Sequence, residues 1–148
     1  MLSVFDDGYF MKEAYKQALY AKEEGEIPVG AVVVCDNRII ARSYNQTERL
    51  NDVTAHAEML AMTSAFNTLG AKYLVNCSLY VTLEPCLMCA GASYWAQISK
   101  LVYGAPDINR GFGRIKENIL HPKTTVLKGV FEKECSKLLH DFFNELRK

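Results

Sequence analysis

Two short stretches hold the residue types that chemistry can use: His56-Ala57-Glu58 and Glu84-Pro85-Cys86-Leu87-Met88-Cys89. Cysteines three positions apart at the opening of a helix lie on one face and can point at a common centre. Pro85 suits the first helical position, where its missing N–H would have had no partner. The free N–H groups and dipole of a helix start favour negative charge, which lowers a thiol towards thiolate. Two thiolates at one point suit a borderline-soft cation, and zinc is the usual one. They cannot complete its shell. His56 supplies a third ligand if its helix brings the N-terminal end to the same edge of the sheet. A Cys2His set leaves a position for water, as a catalytic zinc requires. Cys35 or Cys77 would close the site into a structural one, but both sit in apolar strand patterns and read as core.

Glu58 bears on the choice. It lies two positions after His56, about 200° round a helix, and faces the metal-bound water only if the helix end points into the site. A carboxylate there takes a proton from the water and returns it to a leaving group. The metal lowers the pKa of that water to roughly 7. Taken singly, each motif has a plainer explanation: Cys-x-x-Cys also serves redox chemistry, a lone His in an Ala-rich helix packs, and a lone Glu is solvated. Together they point to a catalytic zinc.

Positioning these residues takes alternating elements. Residues 7–24 have helical spacing, with Gly25 as a stop. Ala31–Cys35 is a short β-branched strand, Asp36-Asn37 a turn, and Arg38–Arg42 the return strand of a hairpin. A polar loop spans Asn45–Asp52, and a helix runs from about Thr54 to Phe66 with Asp52 or Thr54 as N-cap. Cys77–Leu83 forms the next strand, leading into a cysteine helix that continues to about Gln97. Lys100–Gly104 is a strand and Ala105–Gly113 a loop. A short helical piece to Leu120, a strand at Thr124–Leu127 and a C-terminal helix through Cys135, Leu138, Phe142 and Leu146 complete the chain. The expected fold is one domain over 1–148: a three-layer α/β/α sandwich around a mixed five-stranded sheet.

Composition sets outer bounds. Apolar residues make up 49% and charged residues 23% of the 148, the balance of a globular chain rather than a disordered one. The start, Met1-Leu2-Ser3-Val4-Phe5-Asp6-Asp7, lacks the basic and apolar regions of a secretion signal, and no apolar run reaches membrane-spanning length. A reducing cytoplasm is therefore expected, with the five cysteines as ligands or core rather than disulfides. Net charge is zero, yet residues 1–99 carry seven Lys/Arg against eleven Asp/Glu, and residues 100–148 ten against six. The last third can present a basic patch, although a solvated face is the commoner reason for such a bias.

The motifs resemble the zinc-dependent nucleobase deaminase superfamily, whose pattern is His-x-Glu followed by Pro-Cys-x-x-Cys. The resemblance implies a cytidine deaminase-like fold, one zinc per subunit held by His56, Cys86 and Cys89, and Glu58 as general acid/base. It further implies hydrolytic attack on the carbon bearing an exocyclic amine, with ammonia leaving.

Within the superfamily the chain is most similar to bacterial tRNA-specific adenosine deaminases. Similarity runs through Glu26–Val32, Thr54–Met59, Thr82–Ala92, Val102–Ala105 with Asp107, and the Phe142-Phe143 ending. Those enzymes convert adenosine to inosine at the anticodon wobble position, usually as homodimers. The likeness implies a tRNA anticodon stem-loop as partner, with Asn45 and Asp107 touching substrate, although Asn45 also suits a simple turn.

Pro106 and Asn109 stand where that family often has basic residues, with Arg110 and Arg114 nearby to compensate. Lys128, Lys133, Lys137, Arg147 and Lys148 are suited to RNA phosphates. Tyr94-Trp95-Ala96 resembles the guanine deaminases, a free-base branch, and suits core or dimer packing equally well. A noncatalytic zinc-stabilised module is the remaining alternative.

Overall fold

The computed structural model describes residues 5–147; Met1–Val4 and Lys148, cited above for the chain start and the basic C-terminus, lie outside them. Helix α1 (Asp7–Glu23) begins where Asp6 accepts the Tyr9 N–H at 2.9 Å, a side-chain cap that satisfies an otherwise orphaned donor. Strands β1 (Gly30–Cys35) and β2 (Arg38–Tyr44) form the hairpin, followed by α2 (Ala57–Leu69) and β3 (Cys77–Leu83). Helix α3 (Leu87–Ala96), strands β4 (Lys100–Ala105) and β5 (Thr125–Lys128), and helix α4 (Glu132–Leu146) complete the order.

The sheet runs β2-β1-β3-β4-β5. β1 is antiparallel to both neighbours, while β3, β4 and β5 are parallel, which makes the sheet mixed, as expected. Alternation along β1 divides the core. Val32 and Val34 pack with Phe10, Met11 and Ala14 of α1, whereas Ala31 and Val33 pack with Ala57, Ala61, Met62 and Ala65 of α2. A period of two assigns successive side chains to opposite faces. α4 joins α1 on its face at Gly104, where a Cβ would stand 2.8 Å from the Cys135 sulfur.

Four sequence expectations need correction. Helix α3 starts at Leu87 rather than Pro85. Helix α2 starts at Ala57, not Thr54, because Asp52 accepts from both the N–H and the hydroxyl of Thr54, at 2.8 and 2.7 Å, holding that segment in a turn. The piece expected to be helical as far as Leu120 is only a 3-10 turn at Phe112–Arg114. Cys35 and Cys77 are not separate core fillers but a disulfide. Register explains the last point: β1 and β3 pair with Cys35 directly opposite Cys77, Cα atoms 4.5 Å apart.

Strand direction positions the site. β2, β3 and β4 all point the same way, so the loops that follow Tyr44, Leu83 and Ala105 emerge at one end of the sheet. A crevice at the carboxyl ends of such strands is where α/β folds bind ligands. The disulfide lies at the opposite end, beside the start of β3.

A candidate metal centre at the strand ends

His56 and Cys86 are the N-cap residues of α2 and α3, both in extended backbone. Pro85 and Cys86 thus precede the helix that sequence spacing starts at Pro85. His56 likewise stands outside α2, so the 200° separation from Glu58 does not apply. An extended N-cap followed by a helical Glu58 lets both side chains turn into the same space.

His56 Nδ1 lies 3.7 Å from Cys86 Sγ and 3.6 Å from Cys89 Sγ, and the three donors sit within 4.8 Å of one another. A tetrahedral ion with Zn–S near 2.3 Å and Zn–N near 2.05 Å requires an N–S separation of about 3.6 Å. The donor set therefore fits zinc in both chemistry and spacing. Among the described residues this is the one His/Cys/Asp/Glu group so arranged. Cys35 and Cys77, bound to each other, supply no fourth ligand.

Electrostatics agree with the geometry. Cys89 donating to Cys86, with His56 alongside, holds the Cys86 thiol down at about 3 despite burial. Cys89, the donor of that pair and itself buried, is pushed far up. One proton is thus shared between two sulfurs, and a dication that displaces it meets two thiolates. The same Cys86 sulfur raises the His56 pKa. Glu58, 4% exposed, is raised by burial to about 7, the range in which a carboxyl group both gives and takes protons at neutral pH.

His56, Glu58 and Cys86 open onto a cavity of about 970 Å³, large enough for a nucleoside. Asn45 lines it, 6% exposed. Its Nδ2 donates to the Ile27 carbonyl at 3.3 Å, and its Oδ1 is the one buried side-chain polar atom without a partner among the described residues. A buried acceptor left unmet costs free energy, and this one belongs to a residue of the cavity wall. Asp107 also lines the cavity, but one carboxylate oxygen already accepts the Asn109 and Arg110 N–H groups at 3.2 and 3.1 Å. Arg110 lines the wall beside it, while Arg114 sits exposed outside the lining.

Sequence reasoning missed several contributors. Leu139 and Phe143 of α4 reach the cavity, as does Val53; the helical repeat of α4 marked its apolar face without saying what that face covers. Glu26, fully buried, accepts the Glu48 and Arg49 N–H groups at 3.0 and 2.7 Å and so fixes the loop carrying Thr47, Asn51 and Asp52 along the cavity. A glutamate directly ahead of the apolar Ile27-Pro28-Val29 stretch was the available signal.

A three-layer fold with this donor set, a buried glutamate and an open cavity defines a zinc-dependent deaminase. The chain belongs to the family described as the cytidine and deoxycytidylate deaminase zinc-binding region, whose model matches residues 5–105. It is 45% identical over 147 residues to the tRNA-specific adenosine deaminase of Bacillus subtilis (strain 168), across 96% of this chain and 91% of that protein. A structure solved in a study of A-to-I editing by tRNA:A34 deaminases at the wobble position superimposes with a TM-score of 0.84 at 43% identity, over 88% of this chain and 99% of that one. A guanine deaminase from Bacillus subtilis reaches 44% identity, but over 66% of this chain and 62% of its own, with a TM-score of 0.63.

Proposed function

We propose that residues 1–148 act as one domain that deaminates adenosine to inosine at the wobble position of a tRNA anticodon. One observation carries the reading: His56, Cys86 and Cys89 converge at zinc spacing beside a buried Glu58, and all of this opens onto a nucleoside-sized cavity. Relatives named for tRNA support the substrate over a free base, because they combine 43–45% identity with coverage of 88–96% of the chain, whereas the guanine deaminases either match at 44% identity over 66% of it or cover 95% at only 24% identity.

His56, Cys86 and Cys89 hold the zinc, which supplies Lewis acidity that lowers a water's pKa to about 7. Glu58 takes a proton from the attacking water and delivers it to the departing amine. Water and adenosine become inosine and ammonia. Burial keeps the Glu58 carboxyl near neutrality, so it is competent in both directions of that shuttle. Asn45 hydrogen-bonds the nucleoside, and Asp107 lines the same cavity. A single-stranded anticodon loop surrenders its base at low unstacking cost. Arg110, with the basic residues of the last third, faces the phosphates.

We further propose a homodimer in the cytoplasm. Leu87, Tyr94 and Trp95 on α3 are exposed, Trp95 by 76%, an apolar face that a second copy would cover. No helix among the described residues is long and apolar enough to cross a membrane. In a reducing cytoplasm Cys35 and Cys77 are free to rest as a dithiol, far from the metal donors.

The test is incubation with an anticodon stem-loop carrying wobble adenosine, reading inosine. Absence of inosine, with ammonia released from free guanine, would move the substrate to the free-base class.

A further inference from the structure

Glu84 precedes the Pro85-Cys86 pair and is 7% exposed, yet no Lys, Arg or His pairs with it among the described residues. Its carboxylate is satisfied from the loop after β4. Oε1 accepts the Asp107 N–H at 3.0 Å and Oε2 the Gly113 N–H at 2.8 Å. The main chain repeats the attachment: Glu84 N–H donates to the Ala105 carbonyl at 2.8 Å and Phe112 N–H to the Pro85 carbonyl at 2.9 Å. Cys86 and Gly111 form an isolated bridge. Two glycines make room. A Cβ at Gly111 would collide with the carboxyl carbon, and one at Gly113 would stand 2.7 Å from Oε2.

A buried carboxylate is costly unless its oxygens are hydrogen-bonded, and here both bonds go to the ends of one segment. That segment, 107–113, carries Asp107, Ile108, Asn109 and Arg110 along the cavity. We propose that Glu84 is a positioning residue: it fixes the substrate-facing loop in register with the metal-ligand turn, two residues away, so that the cavity wall is pre-formed when RNA arrives. The role in RNA binding rests on the tRNA reading above; the clamp itself does not.

In Glu84→Gln the amide N–H2 opposes one of the two loop N–H groups, and the loop spends more time detached. Apparent affinity falls by the fraction of closed loop lost. We expect KM for the anticodon stem-loop to rise roughly tenfold, while zinc content and kcat per zinc stay within about twofold because Glu84 does not enter the proton path. Gly113→Ala, on an exposed turn, attacks the same contact from the other side. It should raise KM similarly, and the double variant should show less than the product of the two effects, since both remove one interaction. Amide exchange at Asp107 and Gly113 should quicken in Glu84→Gln.

Activity falling in step with zinc content at unchanged KM would mark Glu84 as merely structural and overturn the proposal, as would independent effects in the double variant. If the wild-type chain makes no inosine, the substrate reading fails with its RNA-binding corollary. Exchange at Asp107 and Gly113 then decides the clamp, and rates unchanged in Glu84→Gln overturn it.

Discussion

His56 and Cys86 occupy the same backbone position in two successive elements: each is the N-cap of the helix that follows, at φ −72°, ψ 153° and φ −73°, ψ 175°. Neither side chain is used to cap its helix, so both turn away from the helix ends and towards each other. A residue placed as a candidate metal donor gives up the roughly 0.5–2 kcal/mol that a Ser or Asp cap would contribute.

Removing the proton shuttle separates chemistry from metal binding. Glu58→Gln should keep one zinc per chain and the fold, while inosine formation drops by about 10²–10⁴. Metal analysis beside single-turnover rates checks it. Zinc retained with a rate within a few-fold of wild type would take Glu58 out of the proton path.

Zinc removal should be visible as thiols. In the oxidised chain Cys35 and Cys77 are bonded, and Cys86, Cys89 and Cys135 are free. Burial pushes Cys135 up to about 12, where its thiolate fraction at neutral pH is negligible. A chelator should therefore expose one fast-reacting thiol per native chain, Cys86, with Cys89 held back by burial and its hydrogen bond to Cys86, and the zinc-loaded protein none. Thiol titration with and without chelator detects it; a reactive thiol with zinc in place would assign the donors wrongly.

The candidate donors and the candidate shuttle were readable because His-x-Glu and Pro-Cys-x-x-Cys are local patterns, and α/β alternation was readable from hydrophobic period. The Cys35–Cys77 pair was not, because it depends on antiparallel register between strands far apart in the chain. Nor were the clamps at Glu26 and Glu84, whose partners are backbone N–H groups that every residue carries. The start of α2 was misplaced because Asp52 and Thr54 are good caps whose hydrogen bonds serve a preceding turn instead.

Acid stability should follow Asp7. Partial burial opposes its ionisation, but the Lys100 ammonium at 2.8 Å and the Tyr80 hydroxyl at 2.6 Å prevail and lower its pKa below the ordinary 3.8. A carboxylate with a depressed folded pKa stabilises above its unfolded value, and that contribution is lost as pH falls through the folded one. Asp7→Asn should be less stable than wild type at pH 7, and the gap should close below about pH 4. Urea unfolding across that range measures it; a gap that widened in acid would refute the assignment.

The cross-link at the far end of β3 should matter to stability alone. Cys35→Ala should cost about 2–4 kcal/mol in the oxidised protein, measured by denaturant unfolding with and without reductant. Deamination should be unchanged, because the strand ends that carry the site lie at the other end of the sheet. A loss of activity on reduction would show coupling along β3.

Trp95 tests assembly. Trp95→Glu places a charge on the exposed apolar face of α3 and should shift the proposed dimer to monomer in sedimentation. An unchanged dimer would move the interface elsewhere.

β5 is parallel to β4, and parallel neighbours cannot be joined by a tight turn. The chain must travel from one end of the sheet back to the other, and residues 106–124 are that return journey. Its first part, pinned at Asp107 and Gly113, forms a wall of the cavity. Each doubling of such a connection costs only about 0.6 kcal/mol, and none of it carries a metal donor. The architecture thus separates the candidate metal centre from one wall of its cavity: insertions along the return path can reshape what the cavity admits while His56, Cys86 and Cys89, at the starts of α2 and α3, stay as they are.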